Sequence, residues 1–159
     1  MKIHNQQGFT LIEVMVTLTL LATLAVAAIP MVQRHHQQQN EYLLRESLRQ
    51  IRGALDQFAQ AVQEGRIESS TEGSYYPTYL EQLVEGVVDK TSPNKTKIYF
   101  LRSIPRDPFC NCDSLSDAET WRMRSSTQPP DDFTGGKDIF DIRSRSHATG
   151  LNGVPYGKW

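Results

Sequence analysis

The chain has 159 residues, with 17 Lys and Arg against 18 Asp and Glu and a formal net charge of −1. That length suits one modest core rather than two, and the charge balance removes nucleic-acid binding as a default. The four histidines are His4, the adjacent pair His35 and His36, and His147, and there is no nucleophile motif, glycine-rich phosphate loop or metal-ligand cluster. Catalysis is therefore not expected.

Residues 1–8 are short and polar and carry Lys2. The junction Gly8-Phe9-Thr10-Leu11-Ile12-Glu13-Val14 then opens an apolar run that continues to Val32, in which Glu13 is the single charge beside Thr10, Thr17, Thr19 and Thr23. At about 1.5 Å per residue a helix over 9–32 spans a bilayer core of roughly 30 Å. A carboxylate inside it costs on the order of 2.5–3.5 kcal/mol on insertion scales, so it wants a partner. A secretory signal competes as a reading, because Lys2 precedes the apolar stretch. It fits poorly: cleavage at small residues such as Ala27 and Ala28 would cut a helical pattern that runs on past Gln33.

The Gly8 to Val14 run resembles the cleavage motif shared by type IV pilins and the pseudopilins of type II secretion. The resemblance implies that a prepilin peptidase cuts between Gly8 and Phe9 on the cytoplasmic face, that the new amine of Phe9 is N-methylated, and that the apolar stretch stays on the mature protein. A small residue lets an extended backbone enter a protease cleft, and Lys2 holds the leader inside. Losing Lys2 with the leader makes the chain one unit more negative. The Phe9 ammonium lies four positions from Glu13, on the same helical face. Two pairings are open, one within a chain and one between an incoming subunit and its neighbour; the resemblance favours the second, as an assembly register.

Pro30 lacks an N–H and crowds the carbonyl of Val26, so a helix irregularity is expected there, either a bend or a local melt. Residues 33–40 are polar, with Arg34, His35 and His36 at the far membrane surface; adjacent residues on a helix diverge, so the His pair is read as solvated and no metal is assigned. From Glu41 the spacing of Leu44, Leu48, Ile51, Leu55, Phe58 and Val62 predicts an amphipathic helix. One helix is therefore expected from Phe9 to about Glu64.

Residues 65–73 form a connector rich in Gly, Ser, Thr and Glu. A short helix is predicted over 78–84, between Pro77 and Gly86. Strands are predicted over 97–102, 121–125 and 138–144. The fold class is α+β, with a long N-terminal helix packed on a small antiparallel head. The divisions are a leader at 1–8, a transmembrane or filament-core helix at 9–32, its amphipathic continuation at 33–64 and a head at 65–159.

In the head, Tyr76-Pro77, Leu80, Leu83, Ile104-Pro105-Arg106-Asp107-Pro108-Phe109, Asp141 to Ser146, Leu151 to Tyr156 and Trp159 resemble the major-pseudopilin branch. Major pseudopilins bind calcium in an acidic C-terminal loop, but no Asp or Glu follows Asp141 here, and calcium prefers hard oxygen ligands. Asp131, Asp132 and Asp138 beside Gly135-Gly136 are alternative ligands, more simply read as solvated turn residues. No cofactor is assigned. Cys110-Asn111-Cys112 would sit in an oxidising compartment. A local disulfide pinning the turn after Phe109 is favoured over cross-links to partners, a soft-metal site or two free thiols.

The resemblance implies a non-enzymatic, single-pass protein of the bacterial inner membrane with a periplasmic head. It would polymerise into a homo-oligomeric type II secretion pseudopilus that drives protein export. Its partners would be prepilin peptidase, other pseudopilins, an inner-membrane assembly platform and the membrane itself, with no nucleic acid. A type IV pilin for adhesion, motility or DNA uptake is the alternative, disfavoured because the chain has only the CxC pair in place of a long C-terminal disulfide loop. A membrane-anchored periplasmic binding module that never polymerises is the reading from another class, and Gly8-Phe9 with Glu13 argues against it.

Overall fold

The computed structural model describes residues 9–159, with residues 27–30 described by backbone alone. Its first element is a single helix, α1, Leu11–Gln63. Contacts divide the chain into two compact units, Met1–Gln39 and Asn40–Trp159. The amphipathic part of α1 therefore belongs to the head's own core.

Helix α1 runs unbroken through Pro30; one missing N–H leaves the neighbouring backbone bonds able to carry the helix past it. The helix ends where Gly65 enters the left-handed region at φ 70°. Arg66 N–H donates to Ala61 O at 2.9 Å and Gly65 N–H to Val62 O at 3.0 Å. This is the Schellman arrangement, which only a glycine adopts without strain.

The stripe expected on α1 is the centre of the core: Leu44, Leu48, Ile51, Leu55 and Phe58 are buried, and Val62 packs at the edge. Leu80, Leu83, Trp121, Ile139, Ile142 and Tyr156 close over it from the head. Burying each such side chain contributes about 1.5–3 kcal/mol. Arg52, on the polar side of the stripe, reaches over to fasten the C-terminal half. Its Nε lies 2.8 Å from Asp141 Oδ1, and its Nη2 donates to the carbonyls of Ile142 at 2.9 Å and Trp159 at 3.0 Å.

The head holds two small antiparallel sheets. In the first, β1 (Val87–Val88) pairs with β2 (Lys97–Ile98), register Val87↔Ile98. In the second, β3 (Trp121–Arg124) pairs with β4 (Asp141–Ser144), register Trp121↔Ser144, Arg122↔Arg143, Met123↔Ile142 and Arg124↔Asp141. The expected strands are all shorter than their sequence patterns, for identifiable reasons. After Ile98 the chain turns to α2 (Gln82–Glu85), and both Phe100 N–H and Leu101 N–H donate to Leu83 O. Before Asp141, Ile139 N–H donates instead to Pro77 O at 2.8 Å. That same bond occupies a carbonyl the predicted 78–84 helix needed, so helix forms only over Gln82–Glu85.

Candidate functional site

The N-terminal end of α1 comes first. Gly8 and the leader lie outside the described residues, and Phe9, next to the expected scissile bond, is 84% exposed. Thr10 starts the helix: Glu13 N–H donates to Thr10 O at 3.1 Å and to Thr10 Oγ1 at 3.3 Å. Thr10-Leu11-Ile12-Glu13 thus supplies the threonine half of a capping box, with a carboxylate in the first turn where the helix dipole favours negative charge. The Thr-x-x-Glu spacing was visible in the sequence beside the more conspicuous junction motif, and the capping role adds to the register role expected of Glu13.

Large apolar side chains from Leu11 to Val26 and again at Met31 and Val32 are exposed along the helix surface, and the helix is long and apolar enough to cross a membrane. The threonines within it are internally satisfied. Thr17, Thr19 and Thr23 hydroxyls donate to the carbonyls of Val14, Val16 and Leu20 at 3.0, 2.8 and 2.8 Å. A hydroxyl that bonds its own helix can enter an apolar environment without an unmet donor.

Residues far apart in sequence meet at the C-terminal turn. Glu41, 5% exposed, accepts Leu151 N–H at 2.7 Å and the Tyr156 hydroxyl at 3.0 Å through Oε1. Its Oε2 faces the Arg45 guanidinium at 3.9 Å, which lies 4.4 Å over the Trp159 ring. Gly150 allows the closure, since a Cβ there would stand 2.7 Å from Trp159 Cζ2. A carboxylate from α1 therefore organises the turn that has no carboxylates of its own. Glu41→Ala is expected to remove the acceptor shared by Leu151 N–H and the Tyr156 hydroxyl and to lower stability by about 2–6 kcal/mol, at roughly 1–3 kcal/mol for each buried bond lost. Denaturant unfolding of the detergent-solubilised chain checks this, and Glu41→Gln, which keeps one acceptor, should lose less.

Asp107, 1% exposed, is a second junction. Its Oδ1 accepts Phe109 N–H at 2.9 Å, and its Oδ2 accepts the Ser144 hydroxyl at 2.7 Å and Arg145 N–H at 3.1 Å. Trp121 Nε1–H donates to Pro105 O at 2.8 Å. The Ile104 to Phe109 run thereby ties β3 and β4 together. Just beyond it Cys110 and Cys112 are joined as a disulfide, with Cα atoms 5.2 Å apart. Arg106 binds this turn through the carbonyls of Leu115, at 3.0 Å, and Cys112. The Phe109 ring stacks on Tyr156 at 3.9 Å, which links the cysteine turn to the Glu41 cluster.

The carboxylates of the acidic loop are taken up by nearby donors of the head. Asp138 is fully buried and accepts from Ser126 N–H at 3.0 Å, Ser126 Oγ at 2.6 Å, and the hydroxyls of Ser74 and Ser125. Burial pushes its carboxyl up, but the bonds from Ser125, Ser126 and Ser74 outweigh that and hold it down to about 2. Asp132 instead accepts Thr134 N–H and O–H within its own turn. Among the described residues no group of three or more His, Cys, Asp or Glu side chains is placed to hold a metal. Asp132 and Asp138 therefore direct their carboxylates to hydroxyl and amide donors of the head itself. His35 contacts only its own helix neighbour Gln39, at 3.1 Å, in the bonds described for it, and His147 is exposed.

None of these clusters combines a nucleophile, a base and a cleft; what they do is fix surfaces and a polar helix start. Residues 3–29 match the family model of the prokaryotic N-terminal methylation motif. The chain is also similar to the type II secretion system core protein G of Pseudomonas aeruginosa, 30% identical over 112 residues that cover 70% of this chain and 73% of that relative. No solved structure matches it. With an exposed apolar helix behind a methylation motif, a small α+β head and that likeness along most of its length, the chain belongs to the type II secretion core protein G family of pseudopilins.

Proposed function

We propose that this protein is the structural, non-enzymatic subunit of a type II secretion pseudopilus, held in the inner membrane with its head in the periplasm until it polymerises to drive export across the outer membrane. The observation that carries this reading is the exposed apolar surface of α1 directly behind the Gly8-Phe9 junction. Contiguous apolar surface of that extent is stable only against lipid or against other such helices. Exchanging lipid for protein neighbours is close to neutral in apolar terms, so assembly needs an external motor and a polar register. Prepilin peptidase creates that register by exposing the Phe9 amine, and Glu13 receives it from the neighbouring subunit. An inner-membrane assembly platform and sibling pseudopilins complete the set of partners.

In this reading the leader is 1–8, the membrane and filament-core segment 9–32, the helical continuation 33–64 and the head 65–159. The C-terminal turn is held by Glu41 in place of a cation, so calcium and chelator should leave the unfolding midpoint unchanged. Intact-mass analysis of the membrane-extracted protein, from cells that carry a prepilin peptidase, tests the reading. The expected species begins at Phe9, carries one methyl on its amine, and gains two hydrogens on reduction as the Cys110–Cys112 bond opens. A chain that keeps residues 1–8, or that is cut near Ala27 and Ala28, overturns it.

A further inference from the structure

The outward face of the β3–β4 hairpin carries a concentration of positive charge, held by contacts other than ion pairs: Arg143 stacks on Phe133 and Arg145 Nε donates to Trp121 O at 3.5 Å. Arg122 and Arg143 stand directly opposite in the ladder, an arrangement of like charges that costs stability in an isolated hairpin. With Arg145, His147 and Lys158 they line one cleft. None of Arg122, Arg143, Arg145 or Lys158 enters an ion pair within 4.0 Å among the described residues. Arg124, on the same face, is by contrast engaged with Asp141 at 3.5 Å and with the Phe140 ring at 4.7 Å. The nearby acids Asp132 and Glu119 bond Thr134 and Ser116 and lie within electrostatic reach of Arg143 and Arg145 without forming an ion pair with them.

The same chain carries a surface of matching chemistry. Residues 68–85 contain Glu68, Glu72, Glu81 and Glu85 and no Lys or Arg. Glu68 meets Lys90 at 3.7 Å, and Lys137 Nζ and Lys97 Nζ donate to the backbone carbonyls of Glu72 and Glu85 at 3.4 and 3.2 Å, while the carboxylates of Glu72, Glu81 and Glu85 enter no ion pair among the described residues. Tyr75 and Tyr79 lie among them, 53% and 45% exposed. Carboxylates interleaved with exposed phenol rings suit arginine, which accepts both bidentate pairing and stacking; Arg143 already shows the stacking mode, 4.3 Å over Phe133.

We propose that the cleft lined by Arg122, Arg143, Arg145 and Lys158 receives the 68–85 segment of a second copy of this chain. Four basic groups face Glu72, Glu81 and Glu85, whose carboxylates enter no ion pair among the described residues, so the charges across the contact are opposite in sign. Because the two patches differ, the contact is head-to-tail rather than self-complementary, and such contacts extend as open filaments where the rotation does not close into a ring. The inference rests on the self-assembly reading above: apolar helices supply a non-directional core, and this contact sets the spacing of heads around it.

Full-length chains in cells with prepilin peptidase and the secretion machinery provide the test, read as sheared filament yield. Arg143→Glu with Arg145→Glu, and separately Glu81→Arg with Glu85→Arg, are each expected to lower yield about tenfold by placing like charges in contact. All four changes together should restore it to within about twofold. Arg145→Cys with Glu72→Cys should trap a disulfide-linked dimer that neither single variant forms, a readout that keeps the other charges in place. Unchanged yields, failure of the fourfold variant to recover, which would mean that a different acidic protein fills the cleft, or absence of the trapped dimer overturns the docking. A wild-type chain that is cleaved and inserted yet forms no filament overturns the self-assembly reading and the docking with it.

Discussion

Glu13→Leu is expected to be cleaved and inserted normally and to lower filament yield by about a hundredfold. On the proposed register, a subunit without the carboxylate leaves its neighbour's Phe9 ammonium unpaired in apolar surroundings, at about 2.5–3.5 kcal/mol, and each 1.4 kcal/mol is about tenfold. The start of the helix does not confound the result, because the bond to Thr10 Oγ1 comes from the backbone N–H of Glu13 and survives the substitution. Thr10→Val is the complementary variant. It removes the cap, worth about 1 kcal/mol, but keeps the carboxylate, so its effect should be much smaller. Co-expression separates the two possible pairings. If the pair forms between subunits, wild-type Glu13 can receive the amine of a variant chain, and mixed filaments should recover; if it closes within one chain, the wild type gives no relief.

Asp138→Asn is expected to destabilise the head by about 2–4 kcal/mol, because four donors converge on the carboxylate and hydrogen bonds to charged groups are worth about 1.5–3 kcal/mol each, with losses that do not add. The sign of the pH dependence follows from the depressed carboxyl. Its value falls from the ordinary 3.8 to about 2 on folding, so the stabilisation is complete above pH 4 and is lost as pH falls through 2. That difference amounts to about 2 kcal/mol at neutral pH. Denaturant unfolding of the solubilised wild type between pH 5 and 2 should show this loss, and the Asn variant should show a flatter profile. A wild-type midpoint that does not move across that range would sink the assignment.

The helical part of the molecule was legible because its signals are local. Leu44 to Val62 repeat at helical spacing, and Gly65 marks the stop. The strands were placed correctly but drawn too long, since alternation in 97–102 and 138–144 cannot reveal that Leu83 O and Pro77 O, distant in sequence, capture the amides next to them. For the same reason the partner strand Val87–Val88 went unseen: two residues make no pattern. Arg52 and Glu41 look like surface charges on a helical wheel, and their partners lie 89 to 115 positions away. Asp138 sits in a Gly- and Asp-rich stretch that suggests a solvated turn. Its three serines become visible as ligands only once the chain has folded around them.

The threonine bonds within α1 have a mechanical consequence. Thr17, Thr19 and Thr23 spend their hydroxyls on their own backbone, so between Leu11 and Val26 a neighbouring helix meets a surface with one polar contact to offer, at Glu13. Such a surface has low friction: two helices slide along their common axis without breaking hydrogen bonds until the carboxylate finds its match. The segment behaves as a smooth shaft with a single detent. In the assembly proposed above, a subunit is then lifted from lipid in one continuous stroke and still stops at a defined height.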